Sequence, residues 1–359
     1  MKIGILTYHR SHNYGALLQA IALRHKLEEL GHKVYFIDYW PKYHQQIYDF
    51  FSKEEALNKG IKGAIKYIAN ILITYRKRKE RIVLFNHFIS KYIAPYCLNF
   101  SNDEKYDIII YGSDQIWRKQ PQPLNYFNPI YFAENTLSTK SHISYAASMG
   151  DIELNEKDYA YLKKTIHNFN QIAVRENDLK NILLKMGIKS KVVVDPTLLL
   201  QQNDWNTLLP IKRKIKEKYV LYYRLHRNIF NEKNAFDFAH RNGCKLIILD
   251  GKVRINKKGI ITNANPTDFL SLIKNAEYVL TSSYHGLIFS IIFNKEFYAS
   301  FATNIGRAKS ILTALDLEER LISPNDIIPL NQNRINYNIV NEKLESLREE
   351  SLKYLTEIK

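Results

Sequence analysis

The feature that most constrains this chain is a repeated alternation. Apolar runs of strand length give way to polar loops, and helix-spaced apolar residues follow. Lys2–Thr7 reads as a strand and Tyr8–Tyr14 as a polar loop. Ala16–Leu30 then spaces Leu17, Ala20, Ile21, Leu23, Leu27 and Leu30 as one helical stripe that Gly31 ends, and Val34–Ile37 is the next strand. A strand, a crossover helix and a second strand form a βαβ unit, and repeats of it demand a parallel sheet covered by helices on both faces.

Further strand-like segments stand at Tyr106–Tyr111, His142–Ala146, Gln171–Val174 and Lys191–Val194. After them come the loops Gly112-Ser113-Asp114-Gln115, Ala147-Ser148-Met149-Gly150, Arg175-Glu176-Asn177-Asp178 and Asp195-Pro196-Thr197. Ligands of open parallel sheets bind outside the carboxyl ends of the strands, so these four loops are expected to wall a site. From Tyr219 the pattern starts afresh, with strands at Val220–Tyr223, Lys245–Leu249, Tyr278–Leu280 and Phe297–Phe301 and helices at Asn231–Asn242 and Pro266–Asn275. A chain of 359 residues exceeds one ordinary core. The expected fold is therefore α/β with two Rossmann-like domains, 1–200 and 201–335, and a closing helix in 336–359.

Residues 41–100 break the alternation and are expected to be a helical insertion. Ile61, Ile65, Ile68 and Leu72 form a stripe, Arg76-Lys77-Arg78-Lys79-Glu80-Arg81 follows, and Val83, Phe85, Phe88, Ile89 and Tyr92 resume it. The pattern fits a solvated helix packed on the sheet, or a basic amphipathic helix lying on an anionic membrane.

Lysine and arginine exceed aspartate and glutamate by 52 − 36, giving a net charge of +16. That balance favours anionic partners: phosphorylated substrates, lipid headgroups or nucleic acid. Nucleic acid is the weakest of these, because no helix-turn-helix, zinc-finger spacing or RNA-binding aromatic signature is present. Cys97 and Cys244 suit buried thiols of a reducing compartment. His9, His12, His25, His32 and His44 match no metal-ligand spacing and are expected on the surface or in loops. With no signal-peptide pattern and no membrane-span run, the chain is expected to be soluble and cytoplasmic.

The segment richest in chemistry is Thr281-Ser282-Ser283-Tyr284-His285-Gly286, set between the strand-like Ala276–Leu280 and the apolar Leu287–Phe293. A strand that ends in hydroxyl residues and places His-Gly at a helix start builds an anion site from unpaired backbone N–H groups and the helix dipole. Histidine there can also move a proton near neutral pH.

Taken in order, these motifs resemble the polysaccharide pyruvyl transferase family. Its opening strand–loop–helix is similar to Ile3–Thr7 with Asn13-Tyr14-Gly15-Ala16-Leu17-Leu18-Gln19. Gly112-Ser113-Asp114-Gln115-Ile116-Trp117, Arg175-Glu176, Val194-Asp195-Pro196-Thr197 and Ser283-Tyr284-His285-Gly286 complete the likeness. The resemblance implies a GT-B-like arrangement with the last helix packing back toward the first domain. It also implies transfer of pyruvyl from phosphoenolpyruvate, as co-substrate and with no other cofactor, to a saccharide during capsule or exopolysaccharide synthesis. Acceptors in the family are often carried on a polyprenyl diphosphate at the inner face of the cytoplasmic membrane.

On that reading His285 is the general acid, and the amides of Gly286 and Leu287 help hold phosphate. Arg175 and Arg224 are cations for the donor, Arg175 being otherwise an ion-pair partner of Glu176 or Asp178. Asn13, Tyr14, Asp114 and Gln115 are candidates for the acceptor, while Ser113 and Asp114 also suit a helix cap. Gly15 fits a tight turn, and Asp195 the ordering of the interdomain segment. One position departs from the family: an arginine usually stands two residues before the histidine and resembles a donor ligand. Here it is Ser283, so either Arg224, Arg307 or another basic group such as Lys309 supplies the cation, or the donor is a different one. Two other readings stay open. One is a GT-B glycosyltransferase that binds a nucleotide sugar and uses Asp114 as base; the other is a non-catalytic scaffold at a membrane.

Overall fold

The computed structural model describes residues 1–52, 56–120, 124, 126–134, 137–151, 153–225, 230–253, 260–324, 326–329 and 333–358. The first sheet is built from β1 (Lys2–Leu6), β2 (Lys33–Asp38), β3 (Cys97–Asn99), β4 (Lys105–Asp114), β5 (Ser138–Ala147), β6 (Gln171–Val174) and β7 (Lys191–Val192). Its seven strands lie in the order β3-β2-β1-β4-β5-β6-β7, every neighbouring pair parallel. Continuous apolar runs such as Ile108-Ile109-Ile110 suit this, since a parallel strand is covered on both faces; all three are at most 1% exposed.

The second sheet contains β8 (Tyr219–Arg224), β9 (Lys245–Asp250), β10 (Ile260–Ile261), β11 (Tyr278–Thr281) and β12 (Glu296–Ala299). Its five strands follow the order β10-β9-β8-β11-β12 and are again all parallel. Three helices of the N-terminal part bear on the site: α1 (Tyr14–Glu29), α2 (Lys42–Tyr48) and the long α3 (Gly60–Tyr92). Asn13 caps α1 through its Oδ1, which accepts from the amides of Gly15 and Ala16 at 3.0 and 3.3 Å. At the other end Gly31 adopts a left-handed φ of 84°, and His32 N donates to Leu27 O while Gly31 N donates to Glu28 O. Only glycine takes that conformation without strain, so the helix stops there.

The last helix, Tyr337–Thr356, crosses back to the first sheet. Tyr354 donates to Ser144 O at 2.9 Å, Val194 N donates to Ser351 Oγ at 3.0 Å, and Arg348 Nε donates to Leu198 O at 2.6 Å. Two Rossmann-like sheets with a terminal helix returning to the first form the expected GT-B-like α/β arrangement. Elsewhere the sheets' connections meet through Tyr14 to Ala264 O, Arg81 to Thr262 O, and Gln115 Nε2 to Asn304 Oδ1 at 3.0, 2.9 and 2.7 Å.

The two cysteines are free and half-buried rather than fully buried. Burial, with Asp38 nearby, pushes the Cys97 thiol up to about 12, which keeps it a thiol. Of the clustered histidines, His9 lies in the loop after β1 although it is 1% exposed, whereas His44 departs from the expectation, buried on α2. His9, Asp38 and Cys97 bring their ligand atoms within 4.8 Å of one another, but both Asp38 oxygens already accept from Arg10. A cation's place beside that carboxylate is taken by the guanidinium.

Candidate active site

Five chain segments converge between the two sheets. Register places Asp114 beside Ala147 and Ala147 beside Val174, so the ends of β4, β5 and β6 lie side by side. The segment Asp195–Leu199 continues this row. From the second sheet comes the helix α4 (Tyr284–Ile292), entered directly from β11. Every residue of α4 is buried, which is why its sequence is apolar all round instead of striped.

Asp195 is the hub. It is fully buried, and its Oδ1 accepts from both the amide and the hydroxyl of Thr197 at 3.0 and 2.7 Å. The other oxygen, Oδ2, accepts from Arg175 Nη1 at 2.6 Å and lies 3.6 Å from His285 Nε2. Burial works to raise the Asp195 carboxyl. The charges of His285 and Arg175 and the hydrogen bonds from Thr197 outweigh it and hold the group well below the usual carboxylate range. Arg175 pairs neither with Glu176 nor with Asp178. It is 4% exposed, bonded to Asp195, and 3.5 Å from Asp114 Oδ1.

His285 is 7% exposed and lies against Gly15 of the first domain. A methyl group on Gly15 would stand 1.9 Å from its Nδ1 and 2.1 Å from its Cγ. Gly15 does not serve a tight turn: it lies in the first turn of α1 and has no positive φ. It is glycine because the imidazole occupies the space of its side chain. Gly286 meets the same demand, since a Cβ there would lie 2.2 Å from Thr281 Oγ1.

The amides expected to bind phosphate are spent inside the helix. Gly286 N donates to Ser283 Oγ at 3.4 Å, and Leu287 N donates to Ser283 O at 3.0 Å. Ser283 is thus the cap of α4. Among the described residues, the amides of Tyr284 and His285 have no acceptor, so they are the ones at this helix start available to an anion.

Two guanidinium groups meet the ring of Tyr284, Arg175 at 4.9 Å and Arg307 at 5.1 Å from its centroid. Nε and Nη2 of Arg175, Nε of Arg307 and Nε2 of His285 are buried and have no hydrogen-bond partner among the described residues. Burial, then repulsion from Arg175, pushes Arg307 below the usual guanidinium range. Glu176 tempers this charge. Its Oε1 ties down the 148–150 loop by accepting from Ser148 Oγ and the amides of Met149 and Gly150 at 2.9, 2.9 and 3.3 Å.

Three expected ligands have other duties. Arg224 is buried, with Nε on Asp250 at 3.2 Å and Nη1 on Glu232 at 2.5 Å, so two carboxylates neutralise it. Tyr14 is 1% exposed, donates to Ala264 O, accepts from Arg81, and stacks between Phe85 and Phe269. It is an interface side chain whose hydroxyl is already engaged. The Gln115 amide is engaged with Asn304. Asn13 is exposed even as it caps α1, and Asp114 is half-buried; it accepts from the amide of Gln115 at 2.8 Å. Lys309 is exposed.

A family model described as polysaccharide pyruvyl transferase matches residues 13–303, most of the chain and every residue of this site except those beyond 303. The chain belongs to that family. No curated protein matches it. Among solved structures, the chain is similar to the UDP-GlcNAc 2-epimerase from Methanocaldococcus jannaschii, at 16% identity, 99% coverage of each chain and a TM-score of 0.49. It is also similar to the E. coli heptosyltransferase WaaC with ADP, at 11% identity, 97% and 100% coverage and a TM-score of 0.41. The glycosyltransferase SnogD from Streptomyces nogalater stands at 10% identity, 98% and 96% coverage and a TM-score of 0.42.

Arg307 lies just outside the matched range, and Ser283, where the resemblance leads one to expect arginine, lies within it. The helix Ile305–Ala314 brings the Arg307 guanidinium over the ring of Tyr284, the residue between Ser283 and His285. Sequence reasoning could name Arg307 as a charge but not place it, because its partners stand more than twenty residues away.

Proposed function

We propose that this pyruvyl transferase takes phosphoenolpyruvate as donor and joins its pyruvyl group to two hydroxyls of a saccharide as a ketal, during assembly of a capsule or exopolysaccharide. The observation that carries this reading is a pair of guanidiniums on the ring of Tyr284 beside His285. Arg175 is buried and paired to Asp195, with its Nε unbonded among the described residues; Arg307 is half-buried, and its buried Nε has no hydrogen-bond partner among them. Two like charges kept together at a largely enclosed site fit a compact, multiply charged anion, and phosphoenolpyruvate carries its phosphate and its carboxylate on the same carbon, C2.

His285 hands a proton to the methylene carbon of the donor, and C2 becomes oxocarbenium-like. One sugar hydroxyl bonds to C2, and its proton restores the imidazolium of His285. The C2–O bond to phosphate breaks, the second hydroxyl closes the ring, and its proton leaves with inorganic phosphate. Asp195 positions the imidazole and supplies the negative charge that a protonated ring needs. Arg175, Arg307 and the amides of Tyr284 and His285 bear the phosphate and carboxylate. On the acceptor side Asn13 and Asp114 remain available at the rim for hydroxyl groups.

The test is incubation with phosphoenolpyruvate and a panel of saccharides, following free phosphate and acceptor mass. The expected result is acceptor-dependent phosphate release, with a mass gain of one pyruvic acid less one water. Transfer from a nucleotide sugar, with phosphoenolpyruvate untouched, would establish the glycosyltransferase reading instead. Arg307→Ala is expected to cost about 1.5–3 kcal/mol of donor binding, roughly a 10- to 150-fold rise in KM for phosphoenolpyruvate. Steady-state kinetics checks this, and an unchanged KM removes Arg307 from the donor site.

A further inference from the structure

The long helix α3 has two faces that the fold uses differently. Ile71, Thr74, Arg81, Phe85 and Phe88 are buried against the body. Ile61, Ile65, Ile68 and Leu72 are 84%, 63%, 44% and 69% exposed. At about 100° per residue the four exposed positions share an arc of roughly 60°, turned away from the buried set. No residue from Gly60 to Asn70 is buried; on one side of these first three turns Tyr67 meets Ser52 and Phe51, and on the other the apolar side faces outward.

Such a stripe requires an occupant, and the charge around it selects one. From Gly60 to Lys79 the helix carries Lys62, Lys66, Arg76, Lys77, Arg78 and Lys79 and no acidic residue. A second copy of the same stripe would bring like charge against like. An anionic bilayer complements both features, because it takes an apolar face into the acyl boundary while its headgroups meet lysine and arginine. Among the described residues no helix is long and apolar enough to cross a membrane.

We propose that α3 is a membrane-surface anchor, lying in the plane of an anionic bilayer with Ile61, Ile65, Ile68 and Leu72 inserted and the Arg76–Lys79 run on the headgroups. Its other end is rooted at the active site. Arg81 donates to Tyr14 OH at 3.2 Å, and Tyr14 is the neighbour of Gly15, on which His285 rests. The anchor does not depend on the identity of the donor.

Vesicle co-sedimentation tests it, with phosphatidylcholine vesicles alone and with about 30% phosphatidylglycerol. The whole protein is expected to pellet with the anionic vesicles and to stay in solution with the neutral ones. The Ile61→Gln, Ile65→Gln, Leu72→Gln triple variant is expected to lose pelleting at every salt concentration. Arg76→Gln with Lys77→Gln and Lys79→Gln is expected to weaken it about fivefold per charge, roughly 100-fold together. Circular dichroism and turnover on a soluble acceptor are expected to stay at wild-type levels in both variants, so this test and that of the chemistry fail separately. Equal pelleting with neutral vesicles, or full pelleting by the stripe variant, would overturn the anchor. So would a wild-type dimer, seen by light scattering, that the stripe variant dissolves while neither binds vesicles.

Discussion

Gly15→Ala is expected to lose turnover by about 100-fold or more, approaching the loss in His285→Ala, while the protein stays folded. The added methyl would lie 1.9 Å from His285 Nδ1, far inside contact distance, so the ring must leave its position. Nothing else in the change is costly. Gly15 has no positive φ, and alanine is the better helix former by roughly 0.8–1 kcal/mol. The variant therefore separates positioning from folding, which a change at His285 itself does not. Thermal unfolding and kinetics on the same preparation check it. Full activity in Gly15→Ala would mean that the position of the His285 ring does not matter to the reaction.

The largest effect on stability is expected at Asp195. Asp195→Asn keeps the shape and the Thr197 contacts but leaves Arg175 and His285 facing a neutral amide in a dry site. Removing one partner of a buried ion pair typically costs about 3–5 kcal/mol, a large share of a total of about 5–15 kcal/mol. The pH dependence has a definite sign. The carboxyl of Asp195 is held below the usual range in the folded protein. Its contribution is therefore complete above the unfolded value near 3.9 and is lost as pH falls through the lower folded value. The difference in urea midpoint between wild type and Asp195→Asn is expected to be widest at pH 7 and to narrow below about pH 4. A difference that stays small, or that does not change with pH, would show that Asp195 is not ionised in the folded protein.

Much of this site was legible because the chain alternates strand and helix, and in such folds the loops after strands are where ligands go. That rule grouped the 112–115, 147–150, 175–178 and 195–197 loops from the sequence alone. What it could not supply was partnership across long sequence separations. Arg175 looked like a partner of its neighbours Glu176 and Asp178, and instead it pairs with Asp195, twenty residues on. Gly15 read as a turn because the imidazole that needs its space lies 270 positions away. Arg224 ended a strand as a cleft residue should, but its register neighbour Asp250 neutralises it. The short strands β3 and β10, of three and two residues, are too brief to show any periodicity. In α3 the stripe was readable, whereas its outward direction was not, since periodicity gives a helix two faces without saying which one meets the core.

The central claim is that a small donor carrying both a phosphate and a carboxylate sits between Arg175 and Arg307. Calorimetric titration with phosphoenolpyruvate tests it most directly, with wild type and Arg307→Ala side by side and a nucleotide sugar as the second ligand. Saturable heat from phosphoenolpyruvate in the wild type, weakened roughly 10- to 150-fold by the loss of Arg307, is the predicted result. Binding of the nucleotide sugar alone, or phosphoenolpyruvate binding that ignores Arg307, would contradict it.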